Sequence, residues 1–188
     1  MVPFAGYAMP VQYEGIMAEH QWTRAHAGLF DVSHMGQVVV SVPGGSHEAA
    51  ATVLEALLPA DVLGLVPGRM RYNFLVNDDG GILDDLMITR PADPAEAGSL
   101  MIVLSAACKD ADLAHLRSKL PAEATLATLD DRALLALQGP DAEAVMAAHA
   151  PEAVDLAFMQ AVTTTFDGID CHISRSGYTG EDGYEISV

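Results

Sequence analysis

The chain has 188 residues, of which 51% are hydrophobic and 19% charged, a composition typical of a folded globular protein and not of a disordered one. Its 26 acidic and 9 basic residues give a net charge of -17, which argues against non-specific nucleic-acid binding because no basic cluster could offset repulsion from phosphates. Two widely spaced cysteines, Cys108 and Cys171, and the lack of a membrane-span-like apolar run or a signal peptide favour a cytoplasmic protein.

The first half of the chain predicts two helices and three strands. The first helix is expected to end near Gly28, and the second to be capped by Ser46 and stopped by Pro59. The last two strands are expected to form a hairpin across the turn sequence DDGG. In chain order these elements are a helix at 15–29, a strand at 37–42, a helix at 47–58, and strands at 71–77 and 82–90.

The second half begins with a loop, PADPAEAG, and then predicts five strands and two helices. In order these are a strand at 100–105, a helix at 110–120, strands around Leu126 and Leu134, a helix after Gly139-Pro140, and a hairpin of 162–166 with 169–174. Strands with helices inserted between them predict an α+β fold with largely antiparallel sheets, and not a Rossmann fold. We expect residues 1–188 to form one functional region, split near 45–135 into an inserted subdomain.

The densest cluster of chemistry-bearing residues is the segment SRSGYTGEDGYEISV, residues 174–188. Its glycines stand three apart at Gly177, Gly180 and Gly183, which is typical of a loop that needs unusual backbone angles or a close approach to another group. Two carboxylates in the loop, and the absence of a Lys-Ser/Thr pair, argue against phosphate binding. An acidic surface loop leading into a strand is the plainer alternative.

A second cluster, NDDGGILDDLMITR, contains two pairs of aspartates. Asp78 and Asp79 are expected to form the turn by accepting hydrogen bonds from nearby backbone amides. Asp84 and Asp85 lie within an apolar strand, where adjacent residues point to opposite faces, so one of them should point inward. A carboxylate held in apolar surroundings costs several kcal/mol unless it is paired, neutralised or used. The alternative is that both lie near the hairpin end and are hydrated.

A third segment, GLFDVSHMG, places His34 beside Ser33 and Asp31. Members of a catalytic triad seldom lie so close in sequence, so nucleophilic catalysis is not expected here. The histidines also lack the spacing of a zinc motif such as HExxH, and no metal site is expected.

Five segments in order resemble those of the glycine cleavage T-proteins, a family of aminomethyltransferases. The likeness extends over essentially the whole chain, and five ordered motifs are far more specific than one. The segments are FAGYAMPVQY (4–13), GLFDVSHMGQ (28–37), NDDGGILDDL (77–86), LLALQGP (134–140) and SRSGYTGEDGYEISV (174–188).

The resemblance implies a reaction, a co-substrate and a partner. Members of the family take the aminomethyl group carried on the lipoyl arm of the H-protein and pass its methylene carbon to tetrahydrofolate, releasing ammonia. The folate is expected in the central cavity of a three-domain cloverleaf. No nucleic-acid or membrane partner is implied.

The resemblance also implies the site residues. Asp85, the second of the DDL pair, matches the essential aspartate of the family, and Glu185 matches the glutamate that binds the pterin. Tyr72 and Tyr178 match the folate-contacting tyrosines, and Met35 matches a position near the cofactor. A carboxylate suits the paired N–H groups of a pterin edge, and a tyrosine offers a flat face for its rings. Asp85 is expected to act as a proton acceptor or as a fixed negative charge beside a developing iminium.

Chains of the family are about twice this length, so the resemblance leads us to expect that the family's C-terminal domain is absent. A fragment of that kind is expected to be inactive alone and to self-associate through exposed apolar surface. Two other functions stay open: a folate-dependent demethylase or oxidase, and a non-catalytic folate-binding protein.

Overall fold

The computed structural model describes residues 1–188, which form twelve β-strands, four α-helices and two short 3-10 turns. The strands are β1 Val2–Phe4, β2 Tyr7–Met9, β3 Gly28–Asp31, β4 Gly36–Ser41, β5 Met70–Val76, β6 Ile82–Thr89, β7 Ser99–Leu104, β8 Thr125–Thr128, β9 Leu134–Gln138, β10 Gln160–Phe166, β11 Ile169–Arg175 and β12 Gly183–Ser187. The helices are α1 Ile16–Ala25, α2 His47–Glu55, α3 Lys109–Lys119 and α4 Ala142–His149. The 3-10 turns are Pro94–Glu96 and Pro151–Ala153.

The chain divides into two compact units, one inserted into the other. The first unit contains Met1–His34 and Arg132–Val188, and the second contains Met35–Asp131. Every strand pair in both units is antiparallel, so the α+β fold predicted from the sequence is confirmed. None of the four helices combines the length and apolar character needed to cross a bilayer.

The first unit is built on a five-stranded sheet in the order β10-β11-β12-β9-β3, beside a separate β1–β2 hairpin. One face of this sheet and helix α4 enclose a core of nine buried residues. They are Leu137, Ala142, Met146, Ala150, Ala153, Cys171, Ile173, Tyr184 and Ile186. Because strand residues alternate between faces, Glu185 lies on the opposite face from its core neighbours Tyr184 and Ile186.

The second unit is built on another five-stranded sheet, in the order β5-β6-β7-β4-β8. Its core contains leucine, isoleucine and valine from the strands together with apolar residues of α2 and α3. Leu75, Leu86 and Leu104 belong to this core, whereas Tyr72 and Asp85 lie on the other face of the sheet. The sheet therefore presents one face to its helices and carries two of the sequence-predicted site residues, Tyr72 and Asp85, on the other.

Several local predictions are confirmed. Ser46 caps α2 by accepting a hydrogen bond from the backbone N–H of Ala49 at 3.4 Å. The DDGG hairpin forms as predicted, but Asn77 and not Asp78 or Asp79 stabilises its turn. The Asn77 side-chain oxygen accepts hydrogen bonds from Asp79 N at 3.0 Å and Gly81 N at 2.8 Å. Asp78 instead forms an ion pair with Lys119 at 2.7 Å.

Two features of the N-terminal region differ from the sequence-based expectation. Helix α1 ends at Ala25, and Gly28 begins strand β3, because residues 28–31 pair with β9 from far along the chain. The β1–β2 hairpin was not predicted. Its turn places Ala5 and Gly6 at φ values of 48° and 83°, a left-handed conformation that glycine adopts readily and alanine rarely does.

Candidate functional site

Strand β6 separates its two adjacent aspartates, as the alternation of a strand requires. Asp84 is paired with Leu75 on the core face, and Asp85 is paired with Phe74 on the other face. Asp84 is only 9% exposed, whereas Asp85 is exposed. The alternative that both aspartates are hydrated at the hairpin end is therefore wrong for Asp84.

Asp84 belongs to a buried pair of carboxyl groups. One of its oxygens accepts a hydrogen bond from Ser105 N at 3.2 Å, and its side chain also bonds to that of Asp112 in helix α3. Burial, and secondly the neighbouring Asp84, raise the pKa of Asp112 from 3.8 to about 7. Burial and the same two carboxyl groups also raise the pKa of Cys108. Burial and the neighbouring Asp84 therefore favour the protonated form of Asp112 near neutral pH.

On the other face, Asp85 lies beside an exposed aromatic pair. The rings of Tyr72 and Phe74 meet edge to face with centroids 5.5 Å apart, and Tyr72 is 51% exposed. Desolvation and a hydrogen bond to the Asp85 carboxylate raise the pKa of the Tyr72 hydroxyl. The Ser105 hydroxyl also donates to the Asp85 carbonyl at 3.3 Å. This face combines an accessible carboxylate with an aromatic surface, so Asp85 and Tyr72 are brought together as a pair.

Met35 lies half-buried in the turn before β4. Strand β4 is separated from β6 by β7 in the sheet order. The structure therefore places Met35 in the same unit as Asp85 and Tyr72 but not on a strand next to theirs.

In the first unit, Glu185 is a buried carboxyl group in the middle of β12. It is 8% exposed, and its nearest polar partner is the Ser176 hydroxyl, which donates to it at 3.3 Å. The hydroxyls of Ser174 and Ser176 are themselves 3.2 Å apart. Burial raises the pKa of Glu185 from 4.5 to about 7, and the bond from Ser176 partly opposes that shift. A buried acceptor with so few donors is well suited to a ligand that brings N–H groups of its own.

Tyr178 lies in the loop that leads into β12 and is 59% exposed. The backbone of this loop is bound by the side-chain amide of Gln138. Gln138 Nε2 donates to the Ser176 carbonyl at 3.0 Å, and Tyr178 N donates to Gln138 Oε1 at 2.8 Å. Glu185 and Tyr178 are thus connected through Ser176 and one buried amide.

The three loop glycines meet the conditions that the sequence predicted for them. Gly180 has a φ of 86°, in the left-handed region. A Cβ atom at Gly177 would collide with the Glu181 carbonyl, and one at Gly183 would collide with the Gln138 side chain. The prediction of unusual backbone angles and close approach is confirmed.

Two arginines bind the acidic half of the same loop. Arg24 donates to the Thr179 carbonyl at 2.7 Å and pairs with Glu181 at 2.8 Å. Arg175 binds Asp182 at 3.1 Å and Glu143 at 2.6 Å, and these carboxylates raise the pKa of its guanidinium. The two loop carboxylates therefore serve as ion-pair partners within the unit.

The segment around His34 is bound to the backbone of β9 through the Ser33 hydroxyl, which also accepts a hydrogen bond from Leu134 N at 3.1 Å. The Ser33 hydroxyl donates to the Leu134 carbonyl at 3.4 Å, and Asp31 accepts from Ser33 N at 3.0 Å. Hydrogen bonds from the side chain and then the backbone of Ser33 lower the pKa of Asp31, and burial partly opposes that shift. The His34 ring contacts Phe4 and Tyr7 edge to face, at 5.6 and 5.9 Å between centroids.

Sequence reasoning missed three residues that support these clusters: Gln138, Asp112 and Arg175. The signal for Gln138 was available, because it is the single polar residue of the strand LLALQ. Asp112 carried no such signal, since its partner Asp84 lies far away in the sequence. Arg175 lies only 7 positions from Asp182, but its other partner Glu143 is 32 positions away.

Comparison with known proteins relates the whole chain to one family. The family model described as the GCVT N-terminal domain matches residues 1–188. The chain is 38% identical to the mitochondrial aminomethyltransferase of Dictyostelium discoideum, covering 100% of this chain and 47% of that protein. It is 42% identical to the aminomethyltransferase of Deinococcus deserti, covering 100% and 51% respectively. The chain thus spans about half the length of the curated relatives it matches.

Solved structures give the same result. The crystal structure of glycine cleavage system aminomethyltransferase T from Bartonella henselae is 43% identical, with a TM-score of 0.87 over 100% of this chain and 49% of that chain. A heterotetrameric sarcosine oxidase from Corynebacterium sp. U-96 is 20% identical, with a TM-score of 0.58 over 92% of this chain and 82% of that one, a likeness of fold alone. The chain belongs to the aminomethyltransferase family, and its whole length corresponds to the GCVT N-terminal domain.

Proposed function

We propose that the protein is a tetrahydrofolate-dependent aminomethyltransferase of glycine cleavage. In this reaction the aminomethyl group on the lipoyl arm of an H-protein gives up its methylene carbon to tetrahydrofolate. Ammonia leaves, and the dihydrolipoyl H-protein is released. The proposal is supported by the match of all 188 residues to relatives named aminomethyltransferase.

The observation that carries the proposal is the burial of the Glu185 carboxyl group with few hydrogen-bond donors around it. Its carboxyl group is 8% exposed and has a pKa raised to about 7, so ionisation in the free protein is costly. The edge of a pterin presents an amino group and a ring N–H side by side, and a carboxylate can accept hydrogen bonds from both. Such a ligand would compensate for the lost hydration and would lower the pKa of Glu185 on binding. Tyr178, on the loop before β12, would offer its ring to the same ligand.

Asp85 is the residue to which we assign a role in the transfer step. It is accessible, it is bonded to Tyr72, and it lies on the face of the sheet that does not contain the leucine-rich core. A carboxylate there could accept a proton from the reacting amine or stabilise a developing iminium by its charge. Tyr72 and Met35 are proposed to contact the folate in this unit.

The test compares the two aspartates of β6. Replacing Asp85→Asn keeps the shape and removes the charge, and should lower the rate of methylene transfer by a factor of about 100 to 10,000. Asp84→Asn is the matched control on the same strand. It retains an oxygen for the bond from Ser105 N, so we expect little loss of rate.

The measurement is transfer from aminomethylated H-protein to tetrahydrofolate, made in a chain that also carries the C-terminal half found in the relatives, with folding checked by circular dichroism. Equal and modest losses in both variants would contradict the role of Asp85. Turnover of N-methylated amines instead of aminomethylated H-protein would favour a demethylase, and folate binding without turnover would favour a binding protein.

A further inference from the structure

Gln138 is an unusual residue for its position. It is the last residue of β9, it is 1% exposed, and the four residues before it are Leu, Leu, Ala and Leu. Burying an amide costs free energy unless its hydrogen bonds are satisfied. Both ends of this amide are satisfied by the backbone of one loop, through Ser176 O and Tyr178 N.

The register of strands β9 and β12 determines on which face of the sheet the Gln138 side chain lies. Gln138 is paired with Gly183, and Ala136 is paired with Glu185, so Gln138 and Glu185 project from the same face of neighbouring strands. The missing side chain at Gly183 leaves the space that the Gln138 amide occupies. The amide therefore extends across β12 and reaches the loop on the side where Glu185 lies.

The two backbone groups that Gln138 binds flank Gly177 and belong to residues with their own contacts. Ser176 supplies the hydroxyl that donates to Glu185 at 3.3 Å, and Tyr178 is the exposed aromatic residue of the loop. The Gln138 side chain thus binds the backbone of both residues, and Ser176 is also held by its own N–H, which donates to Gly183 O at 2.8 Å.

The remainder of the loop does not depend on this amide. Its second half is bound by Arg24, through Thr179 and Glu181, and by Arg175, through Asp182. Loss of the Gln138 contacts should therefore release residues 176–178 without detaching the loop from the unit. This separation distinguishes a local positioning effect from a general loss of structure.

We propose that Gln138 is a positioning residue for pterin recognition, which acts by fixing Ser176 and Tyr178 relative to Glu185. The proposal rests on the proposed function for the identity of the ligand. Its geometric part, that Gln138 orders residues 176–178, can be tested without any ligand.

The ligand-free test is residue-level hydrogen exchange, measured by NMR, on a Gln138→Met variant. Methionine fills a similar volume and can neither donate to Ser176 O nor accept from Tyr178 N. We expect the protection of the Tyr178 amide to fall by about 10- to 100-fold, while amides of β12 keep theirs. Unchanged protection at Tyr178 would overturn the proposal.

The matched control is His47→Leu in the second unit. His47 is 7% exposed, and its Nε2 atom lies 3.1 and 3.2 Å from the carbonyl oxygens of Val62 and Leu63, so it too is a buried side chain bound to a loop backbone. The two variants should lose comparable thermal stability. Only Gln138→Met should lose protection at Tyr178.

The second arm measures tetrahydrofolate affinity by calorimetry in a chain that also carries the C-terminal half found in the relatives, at a temperature where circular dichroism shows both variants folded. We expect affinity to fall about 10- to 100-fold in Gln138→Met and to stay unchanged in His47→Leu. Equal affinities in the wild type and Gln138→Met would refute the recognition role. If the wild-type protein binds no tetrahydrofolate, the proposed function and the recognition role fail together, and the exchange result still decides whether Gln138 orders the loop.

Discussion

Replacing Asp112→Asn should change how the stability of the protein depends on pH. Asp112 is 2% exposed in helix α3 and is bonded to the buried Asp84 carboxyl group. Asp112 is held protonated up to near neutral pH, and raising the pH further removes that proton and leaves a negative charge in buried surroundings beside Asp84. An asparagine at this position donates to Asp84 as the protonated carboxyl group does, and it never ionises.

The size of the effect follows from the pKa difference. Asp112 titrates at 3.8 when unperturbed and at about 7 in the folded protein. Because the folded pKa is the higher one, the stabilising effect of the proton is complete below 3.8 and is lost as the pH rises through about 7. At about 1.4 kcal/mol for each pKa unit, the full loss of unfolding free energy is of the order of 4 kcal/mol. About 2–3 kcal/mol of it should fall between pH 5 and pH 8.

The assay is urea-induced unfolding followed by circular dichroism at pH 5 and pH 8. Between pH 5 and pH 8 the unfolding free energy of the wild type should fall by about 2–3 kcal/mol more than that of Asp112→Asn. Asp110→Asn is the control, because it also removes an acidic residue from the first turn of α3 but at an exposed position, and it should behave as the wild type does. Parallel pH dependence in the wild type and Asp112→Asn would refute a raised pKa for Asp112. The titration of Glu185, whose pKa is also raised, is common to all three proteins and cancels in the comparison.

Three further changes have defined outcomes. In a chain that also carries the C-terminal half found in the relatives, Glu185→Gln should weaken tetrahydrofolate binding by about 1.5–3 kcal/mol, since a charged acceptor is lost. Calorimetry showing unchanged affinity would exclude Glu185 from the pterin site. Gly183→Ala should destabilise the first unit by about 1–3 kcal/mol, because the new Cβ overlaps the Gln138 amide, and a wild-type melting temperature would contradict that crowding. Ser46→Ala should cost about 1 kcal/mol of unfolding free energy through loss of the α2 cap, and urea titration that detects no change would rule out a stabilising cap.

Features fixed by neighbouring residues were predictable from the sequence. The Ser46 cap, the DDGG hairpin and the close approach of Gly177 to the Glu181 carbonyl all depend on contacts within a few residues. The alternation of a strand likewise required Asp84 and Asp85 to lie on opposite faces. Local chemistry was sufficient in each of these cases.

Features fixed by distant residues were not predictable in the same way. Asp84 is the inward aspartate because α3 packs on that face and brings Asp112, which lies 28 positions later in the sequence. Helix α1 ends earlier than expected because β9 pairs with residues 28–31. The site residues Asp85, Tyr72, Tyr178, Glu185 and Met35 were identified from the family resemblance, and their roles stay predictions.

The insertion of one unit into the other has a consequence for folding. Strands β3 and β9 are neighbours in the sheet of the first unit, and Val32 N donates to Leu134 O at 2.9 Å where β3 ends. Closing this contact from an unfolded chain would mean ordering a loop of about 100 residues, with the entropic cost that such a loop carries. If Met35–Asp131 collapses first, the loop is already shortened and β9 can join β3 at lower cost. During synthesis, therefore, the inserted unit can complete its sheet before β9 has been synthesised, and β3 stays unpaired until then.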